Sequence, residues 1–192
     1  METLTTLLTE IRACTLCADQ LPDGPRPVVR AFDSARILVV GQAPGRRVHE
    51  SGIPFNDPSG DRLRDWMGID RDIFYDESRI NIIPMGFCYP GTGKSGDLPP
   101  RPECADAWRG RLMKQMSKVE LTLIIGQYAM DWHLRDRRKK TVTETVKAWQ
   151  DYWPDQIVLP HPSPRNNIWL KRNDWFEKDV IPPLQKRIKE LL

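Results

Sequence analysis

The sequence predicts a three-layer α/β/α sandwich built on a central four-stranded parallel sheet. Three observations carry this expectation. Four short apolar runs, at 37–40, 79–84, 121–126 and 157–159, lack the polar–apolar alternation of a sheet with one wet face. Such runs read as strands buried on both faces. Segments of helical periodicity separate them, and strand–helix alternation is the pattern of a parallel sheet covered on both sides. The chain, at 192 residues, is long enough for one full hydrophobic core and shows no internal repeat, so a single domain over 1–192 is expected.

Each element has a local cause. Leu4, Leu7, Leu8 and Ile11 recur at helical spacing and predict an amphipathic helix over 2–13, which delivers Cys14 and Cys17 into a loop. Residues 21–30, broken by Pro22, Gly24, Pro25 and Pro27, should be extended. The first strand, at about 36–41, stops in Gly41-Gln42-Ala43-Pro44-Gly45. Two glycines and a proline make a sharp turn and let backbone approach a ligand. In open α/β sheets ligands sit beyond the carboxyl ends of the strands.

Residues 46–60 read as a long polar loop that nevertheless carries Phe55. A helix is expected from Ser59 through Leu63, Trp66 and Met67 to Gly68, which can cap it. The second strand, 79–84, holds Asn81 in an apolar run. A buried Asn needs partners, and backbone and ligand are both candidates. Residues 86–103 form a glycine- and proline-rich loop between Cys88 and Cys104, and a helix follows over 102–117 with Pro102 in its first turn. After the third strand comes a short helix through Tyr128 and Trp132. The basic run His133 to Lys140 is either a solvated loop or a phosphate-contacting patch. Thr141 and Glu144 fit a capping box, so a helix should run to about Gln150. The fourth strand feeds His161-Pro162-Ser163-Pro164-Arg165-Asn166. From 167 onward Phe176, Val180, Leu184 and Ile188 form a core-facing helical stripe, which Pro182 and Pro183 must kink or restart.

Composition narrows the function classes. No run approaches the ~18 apolar residues of a membrane span, and the first residues lack a basic start and an apolar signal core. A cytoplasmic protein without a membrane partner is expected. The net charge of +3 permits nucleic-acid binding without requiring it. The four cysteines, Cys14, Cys17, Cys88 and Cys104, comprise a C-x2-C pair and a second pair separated by fifteen residues. In a cytosolic chain that favours ligation over disulfides. An iron–sulfur cluster and tetrahedral zinc both fit the count, and four unrelated thiols remain an alternative.

Gly-Gln-Ala-Pro-Gly after the first strand and His-Pro-Ser-Pro-Arg-Asn after the last resemble the two signature motifs of the uracil-DNA glycosylase superfamily. The cysteine pattern resembles that of its iron–sulfur-bearing families four and five. The resemblance spans roughly 12–185. It implies a monomeric, monofunctional DNA glycosylase acting in base excision repair on DNA that contains uracil or another deaminated base. It further implies that Cys14, Cys17, Cys88 and Cys104 hold a [4Fe–4S] cluster, with zinc the alternative. Phe55 would stack on the flipped base, Asn81 would read its polar edge, and Gln42 and Ala43 would line the pocket. His161 would stabilise the departing base, while Ser163, Pro164 and Arg165 would press on the DNA.

The departures are equally specific. Family four has Glu where Gln42 stands. The best-known uracil glycosylases have Asp where Ala43 stands, and Tyr, which excludes thymine's methyl, where Gly45 stands. Asp57 resembles an acidic residue of family five and is assigned the water-positioning role, with helix capping the plainer alternative. His49, in Arg46-Arg47-Val48-His49, is expected to face DNA or solvent. Because Gln42 and Ala43 lack a carboxylate, a superfamily member that binds DNA or a modified base without cleaving it is the competing expectation. A cluster-bearing or zinc-structured protein that takes a small nucleotide is a third.

Overall fold

The computed structural model describes residues 2–192. Its four-stranded sheet contains β1 (Ile37–Val40), β2 (Ile80–Ile82), β5 (Leu121–Ile125) and β6 (Gln156–Leu159), in the order β2-β1-β5-β6 and parallel throughout. Ile37, Val39, Leu123 and Ile157 are fully buried, as unbroken apolar strands require when helices cover both faces. The three-layer expectation therefore holds. Between β2 and β5 the chain adds a small antiparallel hairpin, β3 (Thr92–Gly93) and β4 (Gly96–Asp97). The sequence predicts only loop over 86–103, and the structure folds part of it into this hairpin. The extended segment before β1 shields the sheet's edge, because Arg30 and Ile82 exchange backbone hydrogen bonds of 3.0 and 2.8 Å.

The helices are α1 (Leu4–Arg12), α2 (Arg46–Ser51), α3 (Pro58–Met67), α4 (Arg71–Phe74), α5 (Pro102–Cys104), α6 (Gly110–Gln115), α7 (Gly126–Leu134), α8 (Val142–Lys147), α9 (Asn167–Arg172) and α10 (Ile181–Leu191). A π-helical segment, Ala105–Arg109, joins α5 to α6, and another, Phe176–Val180, leads into α10. Thr141 and Glu144 form both halves of a capping box on α8. Pro182 and Pro183 lie in the first turn of α10, directly after the π-helical segment Phe176–Val180, so the bonds that their missing N–H groups cannot make fall where the helix changes register rather than in a regular α-helical interior. Residues 46–51 are helical, not loop, and end at Gly52 with φ 71°. Among the described residues no helix is long and apolar enough to cross a membrane.

Asn81 is fully buried in β2. Its Oδ1 accepts from the Phe32 N–H at 2.7 Å, and its Nδ2 donates to the Phe32 carbonyl at 3.1 Å and to Met116 Sδ at 3.0 Å. Both ends of the amide are committed to the segment before β1. The expected base-reading role does not fit this position, and the backbone-satisfied alternative does.

Candidate active site

The carboxyl ends of β1 and β6 open onto one cavity of about 420 Å³, large enough for a nucleobase and water. The strands lie two apart in the sheet, so their ends are separated by roughly 9.5 Å. Gly41 to Gly45 forms one wall, His161 and Ser163 another, and Phe55 and Asp57 a third. The structure thus brings together Gln42, Ala43, Phe55, Asp57, His161, Ser163 and Arg165. It leaves out Asn81 and His49. The His49 ring instead stacks obliquely on Tyr89, 5.9 Å between centroids.

Phe55 depends on two glycines. It adopts φ 54°, a left-handed conformation uncommon for an aromatic residue. A Cβ on Gly60 would lie 1.7 Å from the Phe55 carbonyl oxygen, and one on Gly41 would lie 3.2 Å from the tip of the Phe55 ring. The loop therefore folds under α3 only because position 60 lacks a side chain, while a side chain at position 41 would press on the tip of the ring. Below, Phe74 meets Phe55 edge-on at 6.1 Å, and the Arg64 guanidinium sits 5.3 Å over Phe74.

Asp57 is both the capping residue and a wall residue. It is the N-cap of α3, its Oδ1 accepting from the Gly60 N–H at 2.9 Å, with Pro58 in the first turn. The carboxylate nonetheless lines the cavity.

His161 is held as a neutral donor. The Ser163 N–H donates to His161 Nδ1 at 3.2 Å. An accepting Nδ1 carries no proton, so the neutral ring carries it on Nε2. Burial lowers the imidazole's pKa, and the nearby Asp57 and Asp97 carboxylates oppose that shift. Asn166 Nδ2 donates to the His161 carbonyl at 2.7 Å, and Gly126 lies against the ring. Arg62, which the sequence reading missed, ties α3 to the same loop through the Ser163 carbonyl (3.0 Å) and Asn167 Oδ1 (2.7 Å). Nothing local in the sequence marks it.

The hairpin β3–β4 forms the remaining wall through Ser95, Gly96 and Asp97. Arg165 Nη1 donates to the Ser95 carbonyl at 2.8 Å, and Gln42 Nε2 donates to the Leu98 carbonyl at 3.1 Å. Two residues expected to contact DNA or base thus also fasten this hairpin. Its two-residue strands and Lys94-Ser95 turn carry none of the usual hairpin signals, which is why the sequence reads as loop here.

On the far side of that loop, Cys14, Cys17, Cys88 and Cys104 line one second, smaller cavity with Trp108. Among the described residues no three His, Cys, Asp or Glu side chains converge as ligands of a single ion. The Phe87 N–H donates to Cys104 Sγ at 3.3 Å. Trp108 Nε1 is buried with no partner. Burial pushes the Cys88 thiol up to about 11 and Cys104 up to about 12.

Compared with known families, the chain matches the model described as the Uracil DNA glycosylase superfamily over residues 29–185. That span contains every residue lining the large cavity except Val28, and the second cysteine pair. Cys14 and Cys17 precede it.

Proposed function

The chain belongs to the uracil DNA glycosylase superfamily, which supports a DNA glycosylase function in general, and from that premise we propose that it excises uracil from DNA by hydrolysing the N-glycosidic bond. The observation that carries this reading is His161: a half-buried imidazole whose Nδ1 is occupied by the Ser163 N–H, leaving an Nε2–H donor at a cavity that Phe55 also lines. A base must leave the stack to reach such a cavity, at a cost of a few kcal/mol. Stacking on the Phe55 ring returns ~1–3 kcal/mol. As the bond breaks, its electron pair passes to the base and positive charge grows on the sugar. The Nε2–H donor stabilises the base's oxygen, worth on the order of 3 kcal/mol where water is excluded. Asp57 holds the water whose oxygen bonds to the sugar carbon, and takes the proton that water loses, which finally neutralises the departed base anion. Ala43 and the Gln42 backbone line the pocket, while Ser163, Pro164 and the unengaged donors of Arg165 meet the DNA backbone.

Cys14, Cys17, Cys88 and Cys104 share one cavity, a donor set that would hold a [4Fe–4S] cluster, with tetrahedral zinc the alternative. The orphaned Trp108 N–H and the Phe87 N–H are donors of the kind that cluster sulfurs accept. When bound, the cluster would brace the 88–104 loop and supply no step of the hydrolysis.

The test is release of uracil from a uracil-containing oligonucleotide, scored as abasic sites. Release that His161→Ala slows by about 100-fold or more supports the assignment; tight binding with no abasic product favours the non-cleaving reading, which the acid-free Gln42–Ala43 turn motivates.

A further inference from the structure

Phe55 stands in a backbone conformation that its own side chain disfavours. The Asn56 N–H donates to the Ile53 carbonyl at 3.3 Å, which closes a turn over residues 53–56. Pro54 fills its second position and Phe55, with φ 54°, its third. Proline fixes a negative φ, so a positive φ directly after it defines a type II turn, whose third position ordinarily takes glycine or asparagine. An aromatic residue there is strained. The competing type I turn differs by a flip of the peptide between Pro54 and Phe55. It returns Phe55 to a negative φ and re-aims its side chain.

Tyr75, directly after α4, holds that peptide. Its hydroxyl donates to the Pro54 carbonyl at 2.7 Å, the group that the flip would carry away. Two arginines hold the residues that follow: Arg64 Nη1 donates to the Phe55 carbonyl at 3.4 Å and Arg71 Nη2 to Asn56 Oδ1 at 2.8 Å. Tyr75 is itself clamped. The guanidinium groups of Arg30, Arg64 and Arg71 lie 5.5, 5.8 and 5.0 Å from its ring centre, and Phe74 meets it edge-on at 5.1 Å. Pro54 and Phe55 line the large cavity, whereas Tyr75 lies outside its lining.

We propose that Tyr75 is a positioning residue for base capture: its hydroxyl locks the 53–56 turn in the strained form that presents the Phe55 ring to the cavity. It acts only through Phe55. This proposal rests on the reading of the cavity as a base pocket.

Tyr75→Phe removes the hydroxyl and keeps the ring among its arginines. The experiment compares that substitution in wild type and in Phe55→Ala. Two quantities are read: single-turnover release of uracil, and affinity for an oligonucleotide carrying 2′-fluorodeoxyuridine relative to the same strand with an abasic analogue. The fluorine withdraws electrons from the sugar and keeps the glycosidic bond intact, so the second quantity needs no cleavage. With Phe55 present, loss of one neutral hydrogen bond should lower both by about fivefold. With Phe55→Ala the same substitution should move neither by more than about twofold, because the ring that Tyr75 positions is gone. Equal losses in both backgrounds would mean that Tyr75 supports the fold alone and would overturn the proposal, as would no loss in either. A wild type that prefers the fluorinated base, with the coupling present, yet releases no uracil sinks the glycosylase reading and leaves the positioning role standing. A wild type with no preference for the base over the abasic analogue overturns both.

Discussion

Replacing Gly60 by alanine isolates the packing that sets Phe55. The added Cβ would sit 1.7 Å from the Phe55 carbonyl oxygen, 2.7 Å from its carbon and 2.9 Å from the Phe55 Cβ. Favourable contact begins near 3.5 Å, so the loop must retreat by well over 1 Å. Backbone cannot rotate away as a flexible side chain can. Overpacking of this kind costs ~1–3 kcal/mol and at times more, and the Phe55 φ of 54° and its contact with Arg64 are lost with it. Alanine's better helix propensity offsets ~1 kcal/mol. The expected net loss is about 2 kcal/mol, or a drop in Tm of roughly 4–8 °C for a chain of this length. Gly110 is the control: it is helical and nothing lies within 4 Å of its Cβ. Gly110→Ala should gain up to ~1 kcal/mol. Urea and thermal melts of both variants, followed by circular dichroism, check the pair, and excision by folded Gly60→Ala should fall because the stacking ring has moved. A Gly60→Ala protein as stable as Gly110→Ala would refute the account of how this loop is held.

Four further outcomes follow from the same geometry. His161 already donates as the neutral ring, so single-turnover excision should show no inflection near pH 6.5, the ordinary imidazole value; a rate that rises as the ring protonates there would contradict the tautomer set by Ser163. Asn81→Ala should cost about 2–3 kcal/mol by stranding the Phe32 N–H and carbonyl, while excision per folded molecule stays within about twofold; denaturation and single-turnover rates on one preparation separate the two. His133 is half-buried beside Arg109 Nη2 at 2.9 Å and its pKa is lowered to about 3, chiefly by desolvation. The unfolded chain therefore takes up this proton first as pH falls. Stability should decline by up to about 1.4 kcal/mol per pH unit below about 6.5, and His133→Gln should lose that part of the slope in urea titrations at pH 7 and pH 5. Cys88→Ser combined with Cys104→Ser should lower bound iron and destabilise the 88–104 loop toward proteolysis, with full iron content in that variant arguing against the cluster.

The active-site loops were legible because each is written locally. An apolar strand followed by glycine and proline identifies the turn at 41–45, an apolar strand followed by Pro160, Pro162 and Pro164 identifies the loop of His161, and no distant residue is needed to see either. Asp57 shows the limit of such signals: Asp-Pro before a helix announces a cap, and the capping geometry is there, yet only the fold shows that the same carboxylate faces the cavity. Asn81 failed for the complementary reason. An Asn in an apolar run has to find partners, but its partner is Phe32, forty-nine positions away, and a linear pattern does not disclose which loop crosses a strand.

Periodicity, turn residues and cysteine spacing are short-range properties, and from them alone came the parallel sheet, the order of its strands along the chain, and the pair of loops at its carboxyl edge. The identity of the fourth wall came only with tertiary structure. Arg62, Arg165 and Gln42 fold the hairpin and the His161 loop together over separations of 56 to 101 residues, and closure over such distances depends on the packing of the whole sheet. Asp97 reaches the pocket for the same reason: where a distant hairpin comes to rest decides that its carboxylate lies beside Gly45.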